Sequence, residues 1–106
     1  MEGAREAIRI PVPMEAVADF CQRHRVRELA LFGSVLREDF TPESDVDVLI
    51  DFLPGTRITF FGLSDLQTEL ETMFRREVDL VMKPSLHPVI AGDVLASKQV
   101  LYVTPQ

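Results

Sequence analysis

Two apolar runs in the first half of the chain lie close together and restrict the folds that it can adopt. They are RELALF at residues 27–32 and VDVLIDF at residues 46–52, and both have the length and composition of buried strands. The connection between them is short and shows no convincing helical pattern, whereas a parallel crossover usually contains a helix. The two strands are therefore predicted to pair antiparallel.

The remaining periodicities predict helices on a mixed sheet. Apolar residues recur at helical spacing after Pro13, and again in a stripe of Phe60, Leu63, Leu66, Leu70, Met73 and Phe74. We predict helices over residues 13–25, 59–76 and 88–98, and further strands over residues 78–82 and 100–103, the last with an uncertain partner. This order is typical of an α+β or α/β domain whose mixed β-sheet is flanked by helices.

The composition favours one packed domain. The chain has 106 residues, of which 46% are hydrophobic and 26% are charged, as in ordinary globular proteins. We predict a single domain over residues 1–106, with its core at about 13–103. Cys21 has no second cysteine to pair with and is predicted to pack in the core. No apolar run approaches the length of a membrane span, so we expect a cytoplasmic protein without membrane contact.

Negative charge is concentrated between residues 33 and 52. Beside one basic residue, Arg37, this segment holds six acidic residues, namely Glu38, Asp39, Glu43, Asp45, Asp47 and Asp51. The net charge of the chain is −6 and no basic stripe is visible, which disfavours a long DNA or RNA partner. The first three acids lie in a polar, breaker-rich loop and are predicted to be solvated surface charge.

The alternation of a strand predicts that Asp45 and Asp47 project together while Val46 and Val48 face the core. Residues two apart on a strand are separated by roughly 6 to 7 Å, so both carboxylates can converge on the same ions. Like charges this close raise one pKa unless a cation neutralises them, and oxygen ligands suit Mg²⁺. Asp51 lies roughly 13 Å further along the strand and is excluded as a ligand.

Two further features could complete such a site. Asp79 interrupts the apolar run of residues 78–82, and it could join the pair as a third carboxylate if that strand lies beside residues 46–52. Its spacing is equally compatible with a solvent-facing side of the sheet. Gly33 and Ser34 follow the first strand, and a Gly-Ser turn permits close backbone approach and offers N–H and hydroxyl groups to phosphate oxygens.

The combined pattern resembles a known signature. Gly33-Ser34, ten residues and Asp45-Val46-Asp47 are similar to the GS-x10-DxD signature of the DNA polymerase beta-like nucleotidyltransferase superfamily, and Asp79 in VDL resembles its third acidic residue. The match is closest to the minimal nucleotidyltransferases, including antitoxins paired with HEPN toxins, and covers residues from about 13 to 103. The chain departs at Glu38, where many relatives have a glycine after the arginine.

The resemblance implies a fold, an activity and a set of roles. The fold would be that of the nucleotidyltransferases. Asp45 and Asp47, with Asp79, would bind two Mg²⁺ ions that hold ATP, while Gly33 and Ser34 would contact its phosphates. Asp79 would also help to deprotonate or orient the attacking hydroxyl. By similarity to the antitoxin branch, AMP would pass to a tyrosine of a cognate HEPN-domain toxin.

Other interpretations remain open or are disfavoured. The chain could be a non-catalytic module that occludes a toxin, or a small-molecule nucleotidyltransferase whose acceptor wall comes from a homodimer. The DxD lacks the later ligands of an EF-hand, and His24 and His87 lack partners at zinc-ligand spacing. Phe60 and Phe61 are predicted to lie in the core with Met73 and Phe74, although one of the first two could face a partner.

Overall fold

The computed structural model describes residues 10–37 and 40–104. Its helices are α1 (Met14–Arg23), α2 (Phe60–Phe74) and α3 (Pro88–Ser97), and its strands are β1 (Val26–Phe32), β2 (Val46–Phe52), β3 (Val78–Met82) and β4 (Gln99–Val103). Each predicted helix and strand is present, with boundaries that differ from the prediction by at most two residues. Short 3₁₀ helices at Gly33–Leu36 and Lys83–Ser85 were not predicted.

The four strands form one mixed sheet in the order β3-β2-β1-β4. β1 pairs antiparallel with β2, as their short connection predicted. β3 pairs parallel with β2 after the crossover through α2, and β4 pairs antiparallel with β1, which identifies the partner that the sequence left open. The fold class is therefore the predicted mixed sheet with helices.

The main core lies between one face of the sheet and the helices α1 and α2. Val46, Val48 and Ile50 of β2 point into it, as the alternation of the strand predicted. They pack with the buried residues of the two helices, which are Val17, Phe20, Cys21, Leu66, Leu70 and Phe74. Cys21 is buried as predicted, and burial raises the pKa of its thiol to about 12.

The segment after β1 is more ordered than its polar composition indicated. Val35 belongs to the connection in which no helix was predicted, but it lies in the 3₁₀ helix that begins at Gly33 and is fully buried in the main core. Glu38 and Asp39, predicted as surface charge, lie outside the described residues, and Glu43 is exposed as predicted.

The prediction for the start of α2 was wrong. Phe60 and Phe61 have 81% and 79% of their surface exposed and contact each other edge to face, with ring centroids 5.9 Å apart. They occupy the first two positions of the helix, directly after the N-cap Thr59, whereas the buried stripe begins at Leu66. Helical periodicity continued to the first turn, but that turn projects beyond the sheet.

Among the described residues, no helix has the length and apolar character to cross a bilayer.

On the opposite face of the sheet, α3 covers a smaller cluster. Val94 of α3 packs with Ala30, Phe32 and Leu49. Beside this cluster the Glu28 carboxylate forms salt bridges with Lys98 and, at 3.5 Å, with Lys83. Burial acts to raise the pKa of Glu28, but the two ammonium groups outweigh it and hold the pKa below its ordinary value. The two ion pairs therefore bind both ends of the segment containing α3 to Glu28 of β1.

Replacing Glu28 by glutamine should lower the free energy of unfolding at pH 7 by about 2 kcal/mol, because two partly buried ammonium groups lose their counterion. The folded-state pKa is lowered, so this stabilisation is present above the ordinary glutamate value of about 4.3 and disappears as the pH falls through the folded-state value. Urea denaturation at several pH values measures both effects. Glu77→Gln, the same change at an exposed position, should alter stability little. Equal losses in both variants would contradict the prediction.

Candidate active site

One edge of the sheet gathers the residues that the sequence singled out. β1 ends at this edge, and β2 and β3 begin there, because β1 is antiparallel to β2 and β2 is parallel to β3. Phe32 is opposite Asp47 in the β1–β2 pair, and Asp47 is opposite Asp79 in the β2–β3 pair. Gly33 and Ser34 follow Phe32 directly. The topology thus places the Gly-Ser turn and carboxylates from two neighbouring strands side by side.

Gly33 lets the backbone approach the Asp47 carboxylate closely. Its φ is +76°, in the region that favours glycine. A Cβ built on Gly33 would lie 2.2 Å from Oδ2 of Asp47, far inside contact distance. Ser34 adds two contacts: its backbone N–H donates to the Asp47 carboxylate, and its Oγ lies 3.5 Å from the carbonyl oxygen of Asp45. With the Asp47 carboxylate in this position, the turn leaves no room for a side chain at position 33.

Asp47 is half-buried and lies in a negative environment. Burial is the largest cause that raises its pKa above the ordinary value, followed by the charges of Asp79 and Asp45. The N–H of Ser34 and the positive charge of Arg37 offset part of this rise. The structure thus brings the charges of Asp45 and Asp79 within electrostatic reach of Asp47, and Arg37 also acts on Asp47, which the sequence did not reveal.

Asp45 and Asp79 are both exposed. Asp45 lies one residue before β2, so it is held by the preceding loop rather than by the strand itself. Asp79 is the cross-strand neighbour of Asp47 and faces solvent, so its position is compatible with a place in the site. Asp51, excluded as a ligand, is opposite Glu28 and four residues from Asp47 along β2. The charges that converge at the edge are therefore those of the DxD pair and Asp79.

The chemistry of this donor set suits a hard divalent cation. Its oxygen atoms belong to carboxylates on adjacent strands, and their mutual repulsion would be relieved by a positive ion. Within residues 10–37 and 40–104, no three His, Cys, Asp or Glu side chains are close enough to hold a metal ion by themselves. Mg²⁺ is commonly held by one or two carboxylates together with substrate phosphates, and the DxD pair beside the Gly-Ser turn fits that pattern.

A cleft of about 440 Å³ opens beside the turn. Phe32, Gly33, Leu36 and Arg37 line one side, and Val94 and Ser97 of α3 line another. No sequence pattern associates α3 with the site, because these residues carry no local motif and lie 47 to 52 positions from the DxD pair. Only the packing of α3 against the face of the sheet opposite the main core brings them to Gly33.

A mixed sheet with a Gly-Ser turn and carboxylates on neighbouring strands suits an enzyme that handles phosphates with divalent cations. Comparisons with known proteins agree with this class. The sequence profile of the nucleotidyltransferase domain family matches residues 14–101. The chain is 42% identical over 82 residues to the protein adenylyltransferase MntA of Thermococcus cleftensis, which covers 77% of this chain and 79% of that protein.

Solved structures show the same fold. A toxin-antitoxin complex with AMP-PNP superposes with a TM-score of 0.71 at 20% identity, over 90% of this chain and 77% of that chain. A complex of a tri-AMPylated HEPN toxin with an MNT antitoxin from Shewanella oneidensis gives 0.62 at 19% identity, over 86% and 70%. This protein belongs to the nucleotidyltransferase domain family. The family and fold predicted from the GS-x10-DxD pattern are confirmed.

Proposed function

We propose that this protein transfers AMP from ATP to a tyrosine hydroxyl of a cognate HEPN-domain toxin and thereby acts as its antitoxin. The observation that carries the proposal is the register of the sheet, which places Asp79 on one side of Asp47 and the Gly-Ser turn on the other. ATP as the donor suits a cytoplasmic location. Family membership supports the transfer of a nucleotidyl group.

The residues of the site have distinct roles in this proposal. Asp45 and Asp47, with Asp79, would hold Mg²⁺, which when bound would neutralise phosphate charge and stabilise the attacking and leaving oxygens. The Gly33 backbone and the Ser34 hydroxyl would contact the phosphates. The Ser34 N–H is already in use, since it donates to the Asp47 carboxylate. The acceptor oxygen forms a bond to the α-phosphorus, the bond to pyrophosphate breaks, and the hydroxyl proton moves towards Asp79.

A protein acceptor is supported by three observations. The relative from Thermococcus cleftensis is named as a protein adenylyltransferase. The Shewanella oneidensis structure contains a HEPN toxin that carries AMP groups together with its MNT antitoxin. Finally, the net charge of −6 and the absence of a basic stripe from the sequence disfavour a nucleic-acid acceptor. A protein hydroxyl therefore fits the chain better than the end of a polynucleotide.

The test requires the cognate HEPN-domain toxin, whose gene we expect next to that of this protein. With Mg²⁺ and ATP labelled at the α-phosphate, the HEPN protein should become labelled, and peptide mass spectrometry should place AMP on a tyrosine. Chelation of divalent ions should prevent labelling. The HEPN partner could instead stay unlabelled, and a variant lacking Asp45 and Asp47 could suppress its toxicity as well as the wild type does. These two results together would show that the protein acts by occluding the toxin.

A further inference from the structure

The segment that leads into Asp45 is fastened to the turn between α2 and β3. Residues 41–44 form a small turn in which Ser44 N donates to the carbonyl oxygen of Thr41 at 3.0 Å. Val46 N donates to the carbonyl oxygen of Glu77 at 2.9 Å, which joins the first residue of β2 to the residue before β3. Asp45 lies between these two anchors and belongs to no strand, so its position depends on how firmly both are held.

Arg76 provides the connection on the loop side. Its Nη1 donates to the carbonyl oxygen of Pro42 at 3.0 Å and lies 3.5 Å from that of Thr41. Its guanidinium carbon lies 4.8 Å from the centre of the Phe40 ring, and this ring packs against the main core. One planar group therefore contacts the aromatic side chain and the backbone of the same short segment.

The turn that carries Arg76 is itself fixed by hydrogen bonds. The backbone N–H groups of Arg75 and Arg76 donate to the carbonyl oxygen of Glu71 at 2.7 and 3.3 Å. The side chain of Glu71 accepts a hydrogen bond of 3.0 Å from Val78 N, in the residue before Asp79. Arg76 thus extends from a hydrogen-bonded turn that also sets the start of β3. The loop carrying Asp45 and the strand carrying Asp79 are both bound to this turn.

We infer that Arg76 is a positioning residue of the active site, which holds Asp45 in place relative to Asp47 and Asp79 by fixing residues 40–44. The inference rests on the proposed function, in which Asp45 is a metal ligand. Its action is geometric, since it contacts carbonyl oxygens and an aromatic ring rather than a carboxylate of the site. The cation that acts electrostatically on Asp47 is Arg37. Misplacement of a reacting group by about 1 Å can cost a large factor in rate.

Arg76→Lys separates geometry from charge, because lysine keeps the positive charge but cannot stack as a planar group while donating to the carbonyls. We expect kcat for AMP transfer to fall about tenfold or more, and KM for ATP to rise by a smaller factor because the Gly-Ser turn is untouched. Amide hydrogen exchange over residues 40–46, measured without nucleotide, should become about tenfold faster. Arg57→Lys makes the same change at an exposed position in the loop after β2, at the opposite end of that strand, and should match the wild type in both measurements.

The two measurements keep this inference separate from the proposed function. If the wild-type protein transfers no AMP, the proposed function fails, and the exchange experiment still decides whether Arg76 holds the loop. Wild-type exchange in Arg76→Lys would overturn the inference. So would faster exchange with an unchanged kcat, and so would a general loss of stability with a normal kcat per folded molecule. Faster local exchange together with a lower kcat supports it.

Discussion

Asp47→Asn should reduce AMP transfer by about 10³-fold or more, because the substitution removes a carboxylate ligand at the centre of the proposed metal site. A metal ion contributes several kcal/mol to stabilisation of the transition state, and each 1.36 kcal/mol corresponds to a tenfold change in rate. The substitution leaves the shape of the side chain nearly unchanged, and an amide oxygen can still accept from the Ser34 N–H. Initial rates with labelled ATP and the HEPN partner measure the effect.

The same substitution should make the protein without metal more stable at neutral pH. The folded-state pKa of Asp47 lies above its ordinary value, so the folded state binds more protons than the unfolded state between the two values. Stability therefore falls as the pH rises through that interval, and the ionised carboxylate is a cost at pH 7. In EDTA the melting temperature of Asp47→Asn should exceed that of the wild type, and the gap should close below about pH 3.9. Added Mg²⁺ should stabilise the wild type and not the variant.

Asp51→Asn is the matched control for both measurements. Asp51 lies on the same strand, four residues beyond Asp47, and is opposite Glu28 rather than Asp79. This variant should transfer AMP at the wild-type rate, and added Mg²⁺ should stabilise it as much as it stabilises the wild type. If Asp51→Asn lost activity as severely as Asp47→Asn, general disturbance of β2 would explain the result better than a ligand at position 47.

Gly33→Ala should damage the site in two ways. An alanine at φ +76° is strained by about 1 to 2 kcal/mol, which corresponds to a fall in melting temperature of roughly 4 to 8 °C per kcal/mol. The new Cβ would also displace the Asp47 carboxylate, since the two would be only 2.2 Å apart. Because the carboxylate would lose its place beside the Ser34 N–H, we expect transfer to fall by about 10²-fold or more.

Gly55→Ala separates these two effects. Gly55 has φ +82°, so alanine is equally strained there, but nothing lies within 4 Å of the Cβ that would be added. Gly55 follows β2 at the end of the sheet away from Asp47. This variant should show a similar fall in melting temperature and wild-type transfer. Normal transfer by Gly33→Ala at a temperature where it is folded would show that the close contact with Asp47 is dispensable.

The candidate site combines features that differ in how far they could be predicted. Gly33, Ser34, Asp45 and Asp47 form a local pattern, and their resemblance to nucleotidyltransferases could be recognised from spacing alone. Asp79 was ambiguous because its role depended on which strand lies beside β2. The parallel pairing of β2 with β3, which are connected through the 15-residue helix α2, places Asp79 opposite Asp47.

Other parts of the molecule were misjudged or missed for related reasons. Phe60 continued the apolar stripe of α2 but is exposed, because helical periodicity does not indicate where the sheet beneath a helix ends. Arg76 carried no motif, and its contacts with Phe40 and Pro42 join residues that are more than 30 positions apart. The contribution of Val94 and Ser97 to the cleft beside Gly33 likewise depends on the placement of α3.

By itself, the sequence determined the helices and strands, the antiparallel pairing of β1 with β2 and the position of the Gly-Ser turn before the DxD pair. These features depend on alternation, helical spacing and turn residues, which act between close neighbours in the chain. Only the tertiary structure decided that Asp79 lies opposite Asp47, that the charge of Arg37 acts on Asp47 and that Arg76 contacts the loop before Asp45. Strand order and side-chain packing arise from contacts between distant segments, so no local pattern can encode them.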